Sequence, residues 1–158
     1  MSKEKYTWYF IDACCKELAK RIKGDGQEIT HVVGVSRGGL IPAVLLAKEL
    51  EVREVISLGL KSYNDGDDYK TRVPIPKVYQ DIKSCYQLVR GDSNILVVDD
   101  ITDKGNTFKY IADQFKEMSA CINYKTAAIF RKPDSDYHPD YVSTTATPDE
   151  WVVFPWEK

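Results

Sequence analysis

The sequence has no excess of one charge, no long apolar run and very little histidine. Its 158 residues include 22 basic and 24 acidic residues, which gives a formal net charge of −2. Nucleic-acid-binding domains usually carry a basic excess or a basic stripe, so this balance disfavours nucleic acid as a partner. No apolar run approaches the roughly 20 residues of a membrane-spanning helix. The two histidines, His31 and His138, have no triad partner at a recognisable spacing.

Cysteine is also scarce, and its spacing excludes the common cysteine-based sites. Cys14, Cys15, Cys85 and Cys121 form no CxxC pair and have no histidine cluster beside them. Buried free thiols are therefore expected, in place of a zinc site or a disulfide framework, and a reducing, cytoplasmic compartment fits best. Internal repeats, low-complexity segments and domain linkers are absent as well. The sequence predicts one domain over residues 1–158.

What the sequence does contain is an alternation of strand and helix patterns. Apolar spacing predicts strands at residues 30–35, 54–60, 94–100, 124–130 and 141–147 and helices at residues 8–22, 40–50 and 107–118. Residues 64–79 are polar, charged and interrupted by two prolines, which predicts a long mobile loop of the kind that often serves as a lid. The pattern indicates an α/β domain with a central, mainly parallel sheet flanked by helices.

The most informative segment is residues 94–107, where a buried strand leads through an acidic loop into a helix. The loop carries three carboxylates, Asp99, Asp100 and Asp103, which suit a Mg²⁺ ion, sugar hydroxyls or a proton. A short turn then opens the helix: Lys104, Gly105, Asn106 and Thr107. Backbone N–H groups and the positive dipole end at a helix start favour a phosphate. The segment therefore has groups suited to both the hydroxyls and the phosphate of a phosphorylated sugar.

A second strand ends in a similar turn, formed by Ser36, Arg37, Gly38 and Gly39. Neighbouring parallel strands place such turns on the same edge of a sheet, and two anion cradles there suit a ligand with two phosphate groups. Either glycine turn taken singly is more often just a tight turn. The adjacent carboxylates are the stronger signal, because they repel each other unless something cationic or hydroxylic lies between them.

Together these residues carry a resemblance to type I phosphoribosyltransferases. Residues 97–107 resemble the phosphoribosyl-pyrophosphate signature of that family, and the remaining segments are similar to the bacterial xanthine–guanine members. These segments follow in the order of the family: the pyrophosphate loop at 35–40, the start of a hood loop at 62–63, a base-recognising lysine segment at 129–133 and a tryptophan-bearing tail at 149–156. The resemblance implies a type I phosphoribosyltransferase fold, with a flexible hood loop at about 62–80 and a base-recognition tail at about 131–158.

The resemblance also implies a role for each site residue. Asp99 and Asp100 face the ribose hydroxyls and help to hold Mg²⁺, while Asp103 takes or shares the proton at N7 of a purine. The 5-phosphate lies on Lys104, Gly105, Asn106 and Thr107. The leaving pyrophosphate lies on Ser36, Arg37, Gly38 and Gly39, with a cis peptide bond between Ser36 and Arg37. Lys132 donates to the 6-oxo group, Trp151 stacks on the base, and main-chain atoms at Trp151 and Val152 meet its 2-position.

Several alternatives stay open at this stage. Taken alone, Lys132 is more often a surface residue at a strand end, and Trp151 more often a core or interface aromatic. Lys104 and Asn106 depart from the family pattern, where threonine and a small residue are usual. Lys104 can therefore add charge beside the phosphate or point to solvent, and Asn106 tolerates unusual backbone angles well enough for the turn to form.

The leading functional hypothesis is a Mg²⁺-dependent purine phosphoribosyltransferase acting on guanine, xanthine or hypoxanthine. Its implied partners are phosphoribosyl pyrophosphate, a purine base and further copies of the chain in a dimer or tetramer. The alternative is a non-catalytic sensor of the same fold that binds a nucleotide or phosphoribosyl pyrophosphate. Asp103, Lys132 and Trp151 favour the enzyme, since a sensor of phosphoribosyl pyrophosphate needs no base site. An enzyme acting on a different base is a third hypothesis, because Lys104 and Asn106 differ from the family pattern.

Overall fold

The computed structural model describes residues 2–63, 72–86, 91–118 and 122–157. These residues form eight strands: β1 (Ser2–Lys5), β2 (His31–Ser36), β3 (Glu54–Tyr63), β4 (Arg72–Val78), β5 (Asn94–Thr102), β6 (Asn123–Arg131), β7 (Tyr141–Thr145) and β8 (Glu150–Val153). They also form four helices: α1 (Trp8–Gly24), α2 (Leu40–Glu49), α3 (Ile82–Tyr86) and α4 (Asn106–Met118). No helix in these residues is long and apolar enough to cross a membrane.

Six strands form the central sheet, in the order β4-β3-β2-β5-β6-β7. Every neighbouring pair in it is parallel except β3 and β4, which are antiparallel. The predicted α/β fold with a mainly parallel sheet is confirmed. Since β2, β5 and β6 are consecutive in the sheet, the loops that follow them meet at one edge.

Apolar side chains on both faces of the sheet explain why helices cover it on both sides. Residues 95–98 of β5 alternate between the two faces of the sheet, and all four are buried because both faces are covered. One face packs against α1 and α2 through residues that include Ile11, Leu18 and Leu46. The other face packs against α3 and α4 through residues that include Phe108 and Ile111. The thiols of Cys14, Cys15 and Cys85 lie buried in these layers, as predicted, and Cys121 lies outside the described residues.

The predicted loop at residues 64–79 is wrong in its second half. Residues 72–78 form β4, which pairs antiparallel with an extended β3 at the edge of the sheet. Pro74 and Pro76 concealed this strand, since proline lacks the N–H that a central strand needs. An edge strand accommodates both, and they lie where the register between β3 and β4 shifts, between the pairs Lys61–Lys77 and Tyr63–Arg72. Residues 64–71 of the predicted loop lie outside the described residues.

A small second sheet joins the two ends of the chain and was not predicted. β1 pairs in parallel with β8, with Ser2 opposite Glu150 and Lys5 opposite Val153. All four residues of β1 are exposed. The sequence of β1 therefore shows no apolar alternation, and its strand structure comes from its partner rather than from local preference. The pairing places the first residues of the chain beside the tail.

Candidate active site

The turn after β2 is in direct contact with Asp99 and Asp100, which lie within β5 because this strand continues to Thr102, two residues beyond its predicted end. β2 and β5 are hydrogen-bonded neighbours, with Gly34 opposite Val98. A Cβ atom on Gly38 would lie 1.8 Å from Oδ2 of Asp100, and one on Gly39 would lie 2.6 Å from the carbonyl oxygens of Val35 and Val98. Neither position has room for a side chain. The two glycines thus allow the turn to lie against the carboxylates.

The turn leads directly into helix α2, whose N-terminus faces the acidic loop. The Ser36–Arg37 peptide bond is cis, as predicted. The Leu40 N–H donates to the carbonyl of Arg37 at 3.2 Å. The Ser36 hydroxyl donates to the carbonyl of Leu58 on β3 at 3.2 Å, which holds the strand end in place. The partial positive charge at this helix start favours an anion above the turn.

Asp99 and Asp100 form a crowded carboxylate pair at the end of β5. Each accepts a hydrogen bond from the next backbone N–H: Asp100 to Oδ1 of Asp99 at 2.9 Å, and Ile101 to Oδ1 of Asp100 at 2.8 Å. Loss of solvation by surrounding protein atoms raises the pKa of Asp99 well above its usual value, and the negative charge of Asp100 raises it further. Loss of solvation also raises the pKa of Asp100, to about 6. Positive charge or hydroxyl donors would relieve this pair.

The carboxylate pair fits a magnesium ion that takes most of its ligands from elsewhere. Within the described residues there is no group of three or more side chains able to hold a metal ion. Mg²⁺ usually binds proteins through one or two carboxylates and keeps several water or substrate oxygens. Two neighbouring carboxylates with raised pKa values match that requirement.

The turn before α4 depends on glycine at position 105. Gly105 has a φ of +86°, and a Cβ atom there would lie 2.5 Å from Cβ of Tyr137 and 2.8 Å from its backbone nitrogen. Helix α4 begins at Asn106, and the Lys109 N–H donates to the carbonyl of Gly105 at 3.0 Å. The turn can therefore adopt the cradle shape despite asparagine at position 106. Asn106 and Thr107 are half-buried at the helix start.

The Lys104 side chain is exposed at the surface and is engaged in an ion pair there. Its ammonium forms an ion pair with Asp134, in the loop that follows β6. Its carbonyl accepts a hydrogen bond from the N–H of Asp136 at 3.4 Å. One helical turn further on, Lys109 pairs with Asp136 at 3.2 Å. The loop that contains Asp134 and Asp136 thus braces the turn from the side.

Lys132 links the acidic loop to the tail. Its backbone N–H donates to the carbonyl of Thr102 at 2.9 Å, one residue before Asp103. Its ammonium donates to the carbonyl of Thr147 at 3.2 Å and to that of Glu150. Asp103, which is half-buried, and Lys132 therefore lie on neighbouring loops.

Trp151 and Val152 stand next to each other on β8 but differ in exposure. Trp151 is half-buried, whereas Val152 is buried and belongs to the core. The Val152 side chain is therefore occupied with packing, and only its main chain is suited to contact a ligand. Tyr6 and Glu150 form a side-chain hydrogen bond that the sequence did not predict, and the Glu150 carbonyl accepts from the Lys132 ammonium. No local pattern marks them, because 144 positions separate them along the chain.

This fold is that of a known enzyme class. The sequence model of the family described as the phosphoribosyl transferase domain matches residues 8–157 of this chain. The chain belongs to this family. The family, the fold and the class of enzyme predicted from the sequence are thereby confirmed.

Individual members of the family that are similar to this chain are purine phosphoribosyltransferases. A xanthine-guanine phosphoribosyltransferase of Cereibacter sphaeroides is 32% identical over 155 residues, covering 96% of this chain and 84% of the relative. One of Ruegeria sp. is 30% identical over 155 residues, covering 96% and 83%. Among solved structures, a purine phosphoribosyltransferase from Pyrococcus horikoshii has a TM-score of 0.77 at 28% identity and covers 100% of this chain and 96% of its own. The Helicobacter pylori xanthine-guanine-hypoxanthine enzyme shares the fold, with a TM-score of 0.79 at 22% identity, and covers 99% of this chain and 94% of its own.

Proposed function

We propose that this protein is a purine phosphoribosyltransferase that acts on guanine, xanthine or hypoxanthine. It transfers the 5-phosphoribosyl group from phosphoribosyl pyrophosphate to the base and releases pyrophosphate. The observation that carries the proposal is the contact between Gly38 and Asp100, which joins a diphosphate-binding turn to a ribose-binding carboxylate pair. The relatives named as xanthine-guanine phosphoribosyltransferases support the choice of substrate.

The sugar-phosphate half of the site divides between two helix starts. The turn of residues 36–39, at the start of α2, binds the pyrophosphate, and the turn of residues 104–107, at the start of α4, binds the 5-phosphate. Both helices present their positive dipole ends to these anions. Asp99 and Asp100 bind the ribose hydroxyls and hold Mg²⁺. When bound, Mg²⁺ supplies positive charge that stabilises the leaving pyrophosphate.

The base half of the site lies between the acidic loop and the tail. Asp103 accepts the proton at N7 as general base while N9 attacks the anomeric carbon. Lys132 donates to the 6-oxo group, and the Trp151 ring stacks on the base, whose flat face suits an aromatic side chain. The main chain of Trp151 and Val152 faces the 2-position, where guanine, xanthine and hypoxanthine differ. Bond breaking leaves positive charge on the ribose, which the carboxylates stabilise.

We further propose that the protein works in the cytoplasm as a homo-oligomer, a dimer or a tetramer. Exposed apolar side chains support association between copies, among them Val44 on α2, which is 55% exposed. Light scattering of the purified protein measures the number of copies directly.

One assay decides between the enzyme and the non-catalytic sensor. The protein is incubated with phosphoribosyl pyrophosphate, Mg²⁺ and each of a panel of purine and pyrimidine bases, and pyrophosphate release is followed. We expect release with one or more 6-oxopurines and none with pyrimidines. Binding of phosphoribosyl pyrophosphate without turnover of any base would overturn the enzyme and support the sensor. Turnover of another base alone would replace the proposed substrate class.

A further inference from the structure

Glu150 is a buried carboxylate that none of the roles above uses. Its residue is 7% exposed. Its Oε1 atom accepts a hydrogen bond from the Tyr6 hydroxyl at 2.6 Å, and its Oε2 atom accepts one from the Thr147 N–H at 2.9 Å. Burial by itself would raise the pKa of Glu150, but these bonds and the charge of Lys132 hold the pKa below its usual value. Glu150 is therefore ionised at neutral pH.

Tyr6 is held so that its hydroxyl meets this carboxylate. Its ring packs against the rings of Phe10 and Phe130, each with a centroid distance of 4.7 Å. Its backbone N–H donates to the carbonyl of Val153 at 3.0 Å, which continues the pairing of β1 with β8. Burial and the bond to Glu150 raise the pKa of Tyr6 to about 12, so the hydroxyl remains a donor at every physiological pH. The donor comes from the opposite end of the chain.

The carboxylate fixes the turn that leads into β8, and that turn holds Lys132. The Glu150 side chain binds the N–H of Thr147, while the Glu150 N–H donates to the carbonyl of Thr147 at 3.2 Å. The carbonyls of Thr147 and Glu150 both accept from the Lys132 ammonium. Glu150 thus determines where two acceptors of this ammonium stand. It also directly precedes Trp151.

We propose that Glu150, held by Tyr6, is a positioning residue for purine recognition. It sets the place of the Lys132 ammonium and of the Trp151 ring without contacting the base itself. The inference rests on the proposed function, because it takes Lys132 and Trp151 as the residues that bind the base. If Glu150 only stabilised the sheet of β1 and β8, its substitution would lower the stability of the fold and leave the KM for the purine unchanged.

The test compares Michaelis constants for the two substrates in matched variants. Tyr6→Phe removes one hydroxyl and keeps the ring packing, and Glu150→Gln removes the charge at nearly constant size. The controls are Tyr9→Phe, whose parent residue is 85% exposed, and Asp149→Asn, which makes the same charge change at an exposed neighbour. All five proteins are assayed with the preferred purine and with phosphoribosyl pyrophosphate, and their thermal unfolding is recorded.

We expect KM for the purine to rise about tenfold in Tyr6→Phe and Glu150→Gln, which corresponds to about 1.4 kcal/mol. KM for phosphoribosyl pyrophosphate stays within about twofold, and both controls behave as wild type. Two results with an active wild type would overturn this inference and leave the proposed function standing. In the first, the purine KM is unchanged in both variants; in the second, KM rises equally for the purine and for phosphoribosyl pyrophosphate. An inactive wild type would overturn the proposed function and this inference with it. Should Glu150→Gln fail to fold, Tyr6→Phe decides.

Discussion

At the scale of single residues, the site contains two neighbouring carboxylates whose negative charge does not stabilise the free protein. Asp99 and Asp100 are adjacent in sequence; loss of solvation raises the pKa of both, and the negative charge of Asp100 raises the pKa of Asp99 further. Such a pair is unfavourable for folding at neutral pH and favourable for binding a cation or hydroxyl donors. The same residues therefore lower stability in the free protein and, in the proposed function, bind the ribose hydroxyls and Mg²⁺.

The carboxylate pair predicts an unusual dependence of stability on pH. In the unfolded chain the two protons leave near pH 4, whereas folded Asp100 keeps its proton until about pH 6 and Asp99 also releases its proton above the usual value. The folded state thus binds more protons between these values, so the contribution of this pair to the free energy of unfolding falls as pH rises from about 4 to above 6. Below pH 4 the pair is neutral in both states and has no such effect.

Asp100→Asn should reduce this effect, because it removes the titration of Asp100 and its charge beside Asp99 but leaves Asp99 poorly solvated. The amide oxygen can still accept from the Ile101 N–H, while Asp99 no longer faces a like charge. We expect the melting temperature without ligand to rise by about 4 °C at pH 7 and to change little at pH 4. Asp113→Asn, at an exposed position on α4, serves as the control. A lower melting temperature at pH 7 would show that the pair is not repulsive in the free protein.

Asp103 should matter for chemistry more than for sugar-phosphate binding. Asp103→Asn keeps the size of the side chain and removes its ability to take a proton. We expect kcat to fall by roughly 10²- to 10⁴-fold, the usual contribution of a general base. Binding of phosphoribosyl pyrophosphate, measured by calorimetry, should stay within about twofold. Equal loss of turnover and binding would instead assign Asp103 a structural role.

At the scale of elements, the contact between the turn after β2 and the Asp100 side chain on β5 limits which residues position 38 can carry. Gly38→Ala places a methyl group on the Asp100 carboxylate, 1.8 Å from Oδ2, and this carboxylate is the mobile end of a side chain. The side chain must therefore move away, which disturbs the site more than the fold. We expect KM for phosphoribosyl pyrophosphate to rise at least roughly tenfold, with a loss of stability below about 1 kcal/mol.

Gly24→Ala is the matched control for this substitution. No atom lies within 4 Å of the added Cβ at position 24, which ends helix α1. This variant should keep wild-type kinetics and stability. Equal behaviour of the two variants in the kinetic assay would contradict the contact between Gly38 and Asp100.

The loop that braces the 5-phosphate turn leads to a prediction for Lys104. Its ion pair with Asp134 joins side chains that are 50% and 60% exposed, and exposed pairs contribute about 0–1 kcal/mol. If the side chain stays on Asp134, the turn binds phosphate through its main chain. Lys104→Ala should then change the free energy of unfolding by less than about 1 kcal/mol and KM for phosphoribosyl pyrophosphate by less than about threefold. A much larger rise in KM would mean that Lys104 turns to the phosphate.

At the scale of the whole molecule, the sequence predicts those parts whose signals are local. The buried run of β5 and the apolar stripe of α4 were predictable from local apolar spacing. The glycines at 38 and 105 mark backbone that lies close against other residues. The strands that were missed depend on partners. β1 has four exposed residues and exists through β8, and β4 carries two prolines that only an edge position permits.

The positions of side chains between loops were predictable only in part. The resemblance implied that Asp103 and Lys132 serve one ligand, and the bond between the Lys132 N–H and the Thr102 carbonyl places them on adjoining loops. The partner of Lys104 was not predictable, since Asp134 lies 30 residues away in a polar loop. The bond between Tyr6 and Glu150 spans nearly the whole chain. Contacts of this kind follow from topology, which single-residue patterns do not contain.

The pairing of β1 with β8 has a consequence for the order in which the protein is made. β2, β5 and the turns that follow them all precede β8, which carries Trp151, so they are synthesised before it. β1 precedes all of these elements and has no strand to pair with until β8 is made. A nascent chain can thus form the two turns early, whereas the sheet of β1 and β8 forms only after residue 153. Pulse-labelled chains halted before residue 150 should lack that sheet.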